Sequence, residues 1–153
     1  MPVELHLTVD QAKLSALQHR LKAAGAKDLQ RELTKALKDA AKPLADAERR
    51  AALALPSAHG DGTLRRQLAA GVAVSVTKTD RNPGVRVRDR AKLAKATQAR
   101  RGWRHPVYGH RSTWVTEILG PGWFTDTANR HRDDVVKKVR EAVDRVARKI
   151  AKG

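Results

Sequence analysis

Val72-Ala73-Val74-Ser75-Val76-Thr77, followed after Asp80-Arg81-Asn82-Pro83-Gly84 by Val85-Arg86-Val87-Arg88, decides the fold class. Valine falls on every second position of both runs. That is the period of a strand with one buried face. The Asp-Arg-Asn-Pro-Gly segment between them reads as a turn, so the two runs pair as a hairpin with Arg86 and Arg88 on its outer face. A sheet therefore interrupts a chain whose remaining pattern is helical.

Toward the N-terminus, Gly71 is expected to open the first strand. Thr63-Leu64-Arg65-Arg66-Gln67-Leu68 reads as one helical turn capped by Thr63, behind a loop over 56–63. Before that loop, Leu29, Leu33, Leu37, Ala40, Leu44, Ala47, Ala51 and Leu55 recur at steps of three and four, the stripe of a long amphipathic helix. Pro43 lies inside it and predicts a kink or a split. Leu14, Leu17 and Leu21 make a shorter helix, with Asp10 as its cap, Val9 stapling onto Leu14, and a break at Gly25.

Toward the C-terminus, 89–102 has no clear period and reads as a short helix or a mobile loop, too poor in apolar groups to offset the entropy of ordering. Residues 103–124 hold all five aromatics of the chain. Trp103, Tyr108, Trp114, Trp123 and Phe124 are expected to form one cluster that anchors this stretch on the last helix. Trp114–Leu119 reads as a third strand and Gly120-Pro121-Gly122 as a turn. The closing helix starts near Thr125 or Asp126 and buries Val135, Val139, Val143, Val146 and Ile150. The fold class is α+β: two N-terminal helices, a small antiparallel sheet of three or four strands, and a C-terminal helix. One domain spans 1–153, with a helical part at 10–55, sheet and loops at 56–124, and the last helix at 125–151.

Composition narrows the chemistry. The 153 residues include 32 Lys plus Arg and 16 Asp plus Glu, a formal net charge of +16, and no cysteine. Disulfide scaffolds, thiol nucleophiles and Cys-ligated metals are excluded. No apolar run approaches the roughly 20 residues of a membrane span. The first residues lack a secretory pattern, so a soluble protein made in a cytoplasm is the expectation. His105 and His110 flank Pro106–Gly109 and, with His131, are the histidines to weigh as metal ligands. Polar loop residues beside aromatics is the simpler reading, and no metal or cofactor is expected. The acids are scattered over helix surfaces, and adjacent Asp133 and Asp134 point to different helix faces. No catalytic constellation emerges.

The strongest physical signal is the band from Arg81 to Arg111, with ten basic residues and the single acid Asp89. Arg86, Arg88, Lys92, Lys95, Arg100 and Arg101 are its candidate contacts to a phosphate polyanion or to an acidic partner. On these residues alone the chain could be a nucleic-acid-binding module.

The order of segments adds a second reading. A long helix ends in Leu55-Pro56. Gly62-Thr63-Leu64-Arg65-Arg66-Gln67-Leu68 and a valine hairpin follow. Then come His105-Pro106-Val107-Tyr108-Gly109, Trp114-Val115, Pro121-Gly122-Trp123-Phe124 and a closing helix. This resembles the neck or tail-completion (head–tail joining) proteins of long-tailed bacteriophages, related to minor tail protein Z, over roughly 10–151. The resemblance implies a virion structural protein without catalysis, made in a bacterial host cytoplasm. It implies a homo-oligomeric ring, commonly a hexamer, between the head-side connector or stopper and the tail. Double-stranded DNA would pass through that ring without sequence preference, and no membrane is involved. Two segments depart from the family pattern: Pro56 to Leu64 is longer than its Pro-x-x-Thr-Gly-x-Leu, and Arg88–Arg101 is basic where relatives often carry an aromatic strand.

Overall fold

A computed structural model describes residues 3–7, 11–56, 62–78, 83–107 and 110–152. The elements in order are β1 (Val3–Leu7), α1 (Gln11–Ala23), α2 (Lys27–Leu53), α3 (Thr63–Gly71), β2 (Val72–Thr77), β3 (Gly84–Asp89), α4 (Ala94–Thr97), β4 (Trp103–Val107), β5 (His110–Glu117) and α5 (Trp123–Lys152). The fold is α+β, with two antiparallel sheets of three and two strands. The capping roles of Val9 and Asp10, the turn at 80–82, the loop at 57–61 and Tyr108 lie outside the described residues. Among the described residues, no helix is long and apolar enough to cross a membrane.

Helix α2 is the hub. Its widest contact is with α5, and it also packs on α1, α3, β2 and β3. Leu33, Leu37, Ala40, Ala41, Leu44, Ala45 and Ala52 are buried on α2, and Val135, Val139, Ala142, Val143 and Val146 on α5. The two helices run antiparallel: Lys149 near the end of α5 pairs with Glu32 near the start of α2, and Arg130 of α5 lies within electrostatic reach of Glu48 on α2. The alanines let the helix backbones approach closely, and the β-branched valines are stiff enough to fill the seam in fixed rotamers.

Pro43 does not split α2, which is helical from Lys27 to Leu53. The proline faces solvent, so the Asp39 carbonyl that loses its amide partner can be hydrated. Buried Ala40, Ala41, Leu44 and Ala45 on either side hold the helix through the break.

The hairpin of β2 and β3 forms as read, with Val74 opposite Val87 and Val76 opposite Val85. The chain's first strand was not expected. β1 pairs antiparallel with the other edge of β3, Leu5 opposite Val87 and Leu7 opposite Val85, so the sheet order is β1-β3-β2 and β3 is central. Val3, Leu7, Val72, Val85 and Val87 are buried on its inner face. Gly71 ends α3 rather than opening β2. Thr63 is the first residue of that helix, not its cap; Gly62, at φ 77°, takes the cap position. A Cβ at Gly71 would collide with the Asp89 carboxylate, whose backbone is drawn close by a bond from the Arg90 amide to the Gly71 carbonyl.

The segment 89–102 contains the short helix α4. Asp89, Ala94 and Thr97 of this segment are buried.

Two carboxyl groups sit in the core. Glu48 occupies a stripe position of α2 between Leu44 and Ala52 and is fully buried, with neither oxygen hydrogen-bonded. Asp89 is also fully buried; its Oδ1 accepts the Ala91 amide at 2.8 Å and its Oδ2 has no partner. Burial, reinforced by Asp89 and opposed by Arg130, pushes the Glu48 carboxyl up to about 9. Burial raises Asp89 as well, against the pull of the Ala91 amide. The native state therefore keeps protons that the unfolded chain releases near pH 4.5. For Glu48, stability is full below that pH and falls as pH rises toward 9, by at most about 1.4 kcal/mol per pH unit; the raised Asp89 carboxyl acts in the same direction. Glu48→Gln, which keeps the shape and cannot ionise, should raise the melting temperature at pH 8 by several degrees and flatten its decline between pH 5 and 9. A variant that melts below the parent at pH 8 with the same slope would show that Glu48 is ionised and paired in the folded state.

Candidate assembly and nucleic-acid surface

β4 and β5 form a two-stranded ribbon with Trp103 opposite Glu117, Arg104 opposite Thr116, His105 opposite Val115 and Pro106 opposite Trp114. The third strand, expected over Trp114–Leu119, spans His110–Glu117 as β5, and β4 is a further strand. Pro106 lies within β4, and in a two-stranded ribbon each strand is an edge, where proline is tolerated. All eight residues of β5 are exposed. Neither strand packs extensively on any other element among the described residues. A lone hairpin is marginal in water, so the ribbon depends on how its two ends are held.

The first end leaves α4 and the second runs into α5, and the two are tied together. The Gly120 amide donates to the Thr97 carbonyl at 3.2 Å and the Gly122 amide to the Gln98 carbonyl at 2.7 Å. The indole Nε1 of Trp123 donates to Thr97 Oγ1 at 3.1 Å in a buried setting. Arg100 bridges to Asp126 at 3.1 Å across the outside. A Cβ at Gly120 would lie 2.2 Å from Leu55 Cδ2, so a larger residue here would have to displace the Leu55 side chain at the close of α2.

The aromatics divide instead of clustering. Trp123 and Phe124 are buried in the first turn of α5, earlier than the expected start at Thr125 or Asp126, with rings edge to face at 5.7 Å. Trp103 is half-buried and stacks on His105 at 4.3 Å. Trp114 is 52% exposed, with the Arg104 guanidinium 5.5 Å above its ring. Val115 and Ile118 are 40% and 59% exposed. The expectation of one cluster fails because a hairpin without a third layer cannot bring Trp114 back to the body.

The six basic candidates also divide. Arg86 and Arg88 lie on the outer face of the first sheet as expected. They are flanked by strands on both sides, half-buried, with each Nε enclosed and unpaired. Arg86 stands 3.8 Å from Glu4, and together with burial its charge lowers the pKa of His6. They are not the freely solvated pair that an edge strand would give. Lys92, Lys95, Arg100 and Arg101 are exposed around α4 at the foot of the ribbon. Arg104 and Arg111 continue this basic surface along the ribbon itself, and were not among the six.

The histidines weighed as ligands are engaged or apart. His105 faces the Glu117 carboxylate at 3.0 Å and the Pro106 carbonyl at 3.1 Å, and His131 sits 3.0 Å from the Thr127 carbonyl. No three groups of metal-ligating type converge among the described residues. The chain matches no family model, no curated protein and no solved structure.

The split of the aromatics sets an energetic contrast. Phe124→Ala should cost about 3–5 kcal/mol in urea unfolding, whereas Trp114→Ala should stay within about 0.5 kcal/mol of the parent. Equal losses for the two would place Trp114 in a core.

Proposed function

We propose that this chain is a structural subunit of the neck of a long-tailed bacteriophage, of the tail-completion or tail-terminator type. In this reading copies assemble into a ring, a hexamer in the form the resemblance implies, joining the head-side connector or stopper to the tail around the DNA channel. It acts in the virion by assembly, without catalysis or cofactor.

The observation that supports it is the ribbon. Trp114, Val115 and Ile118 hold apolar surface in water and add nothing to the chain's own core. Exposed apolar surface grouped in this way is typical of interaction sites. The register puts Val115 and His105 on one face of the ribbon and Trp114 and Pro106 on the other, so a single arm offers two surfaces. The Val115 face suits a neighbouring subunit, and exposed Ile118 follows directly after the strand. The antiparallel α2–α5 pair supplies a stiff body that fixes where the arm points.

The gene neighbourhood gives the first check: portal, major capsid and tape-measure coding sequences should lie in the same cluster, and a setting of cellular genes overturns the reading. The second check is in solution and by electron microscopy. Val115→Asp with Ile118→Asp should leave helicity and melting temperature unchanged and abolish any ring the parent forms.

A further inference from the structure

We infer that the Trp114 face of the β4–β5 ribbon holds the phosphate backbone of duplex DNA, through Arg104 seated on Trp114. The choice of duplex DNA rests on the neck reading; the geometry that makes an anion site does not.

The register separates the ribbon's charges. Arg104, Pro106, Trp114 and Thr116 share one face, and Trp103, His105, Val115 and Glu117 share the other. Glu117 is the ribbon's one acid. It lies on the second face, already engaged by His105. The Trp114 face therefore carries a cation and an aromatic ring with no carboxylate among its described residues.

A guanidinium laid over an indole is attracted by the ring and loses little further freedom on binding. Its N–H groups point outward in its own plane, the geometry that a phosphate accepts in bidentate fashion. The guanidinium also covers one face of Trp114, where an unpaired base would stack. This favours phosphate contact over base stacking, and so a duplex over a single strand.

The surroundings extend the site. Arg101 is exposed at the foot of the ribbon and Arg111 near its tip. The five residues of β4 rise about 17 Å, a length over which a duplex presents about ten phosphates. The register places Arg104 on the Trp114 face, and Arg101 and Arg111, beyond its two ends, add their charge to its field. Arg86 and Arg88 are placed less well, each with its Nε enclosed between strands and Arg86 facing Glu4.

The test is a salt titration of the full chain by fluorescence anisotropy, with two unrelated duplexes of about 25 base pairs and the matching single strands. The parent should bind both duplexes equally, with a log–log salt slope of about −3 for three neutralised phosphates. Arg104→Gln with Arg111→Gln should weaken binding at least tenfold at low salt and reduce the slope by about 2. Trp114→Leu, which keeps Arg104 but removes its seat, should weaken binding severalfold at unchanged stability. Arg86→Gln with Arg88→Gln should change affinity less than twofold in a chain that folds as the parent does. The inference is overturned if ribbon variants bind like the parent, if the single strand or one sequence is preferred, or if no duplex binds even at low salt. It is equally overturned if the ribbon arginine variants lose assembly while keeping DNA affinity, which would make this face a protein contact. A parent that forms rings but binds no DNA removes this inference and leaves the neck reading. Ribbon-dependent duplex binding in a chain encoded among cellular genes does the reverse.

Discussion

The antiparallel seam between α2 and α5 is the constraint on which the rest depends. The two helices make the widest contact in the fold, and α2 touches nearly every other layer as well. A helix enclosed on so many sides needs small residues, and the alanines at 40, 41, 45, 47 and 52 provide them. The same enclosure carries α2 through Pro43 and puts the Glu48 side chain where water does not reach. With Glu48 protonated through neutral pH, the native chain is about one unit more positive than its composition states. A strongly basic protein thus keeps part of its small acidic complement where it cannot offset the surface field.

The seam also determines what the ends of the helices do. The first turn of α5 buries Trp123 and Phe124 beside α4, and the close of α2 brings Leu55 against Gly120. Both feet of the ribbon are therefore fixed to the helical body by backbone bonds and one buried indole bond. The ribbon has no core of its own, and it needs none to be aimed.

Long amphipathic segments were legible in the sequence because each repeats its period many times. The valine hairpin was legible because its alternation is nearly perfect. β1 was not read, although Val3, Leu5 and Leu7 alternate with Glu4 and His6; five residues give too few periods to stand out. Its absence made β3 an edge strand, and so Arg86 and Arg88 were expected in free solvent. Alternation tells which face a side chain takes but not how many neighbours flank it, and that second fact decides their exposure. Glu48 carried a readable signal: it falls four residues after Leu44 and four before Ala52, on the buried stripe. A charged residue at such a position is expected either to be paired or to lose its charge, and here the unsatisfied oxygens point to the second outcome.

The two halves of the basic band differ in what removing a charge would disturb. On β3, the arginine stems cover neighbouring strands, so part of what each contributes is packing within the sheet. On the ribbon, Arg104 and Arg111 project from a structure that buries little. Surface charges of this kind act mainly on partners and on the rate of encounter, and hardly on the fold. Their field also adds to that of the basic surface around α4, since the ribbon rises from it. The body, enclosed and low in freedom, sets the position of this charge, and the arm, exposed and nearly free of core, presents it. That division lets the ribbon's face change its charge or apolar content with little consequence for the α2–α5 seam, which is the property an interaction surface on a rigid scaffold requires.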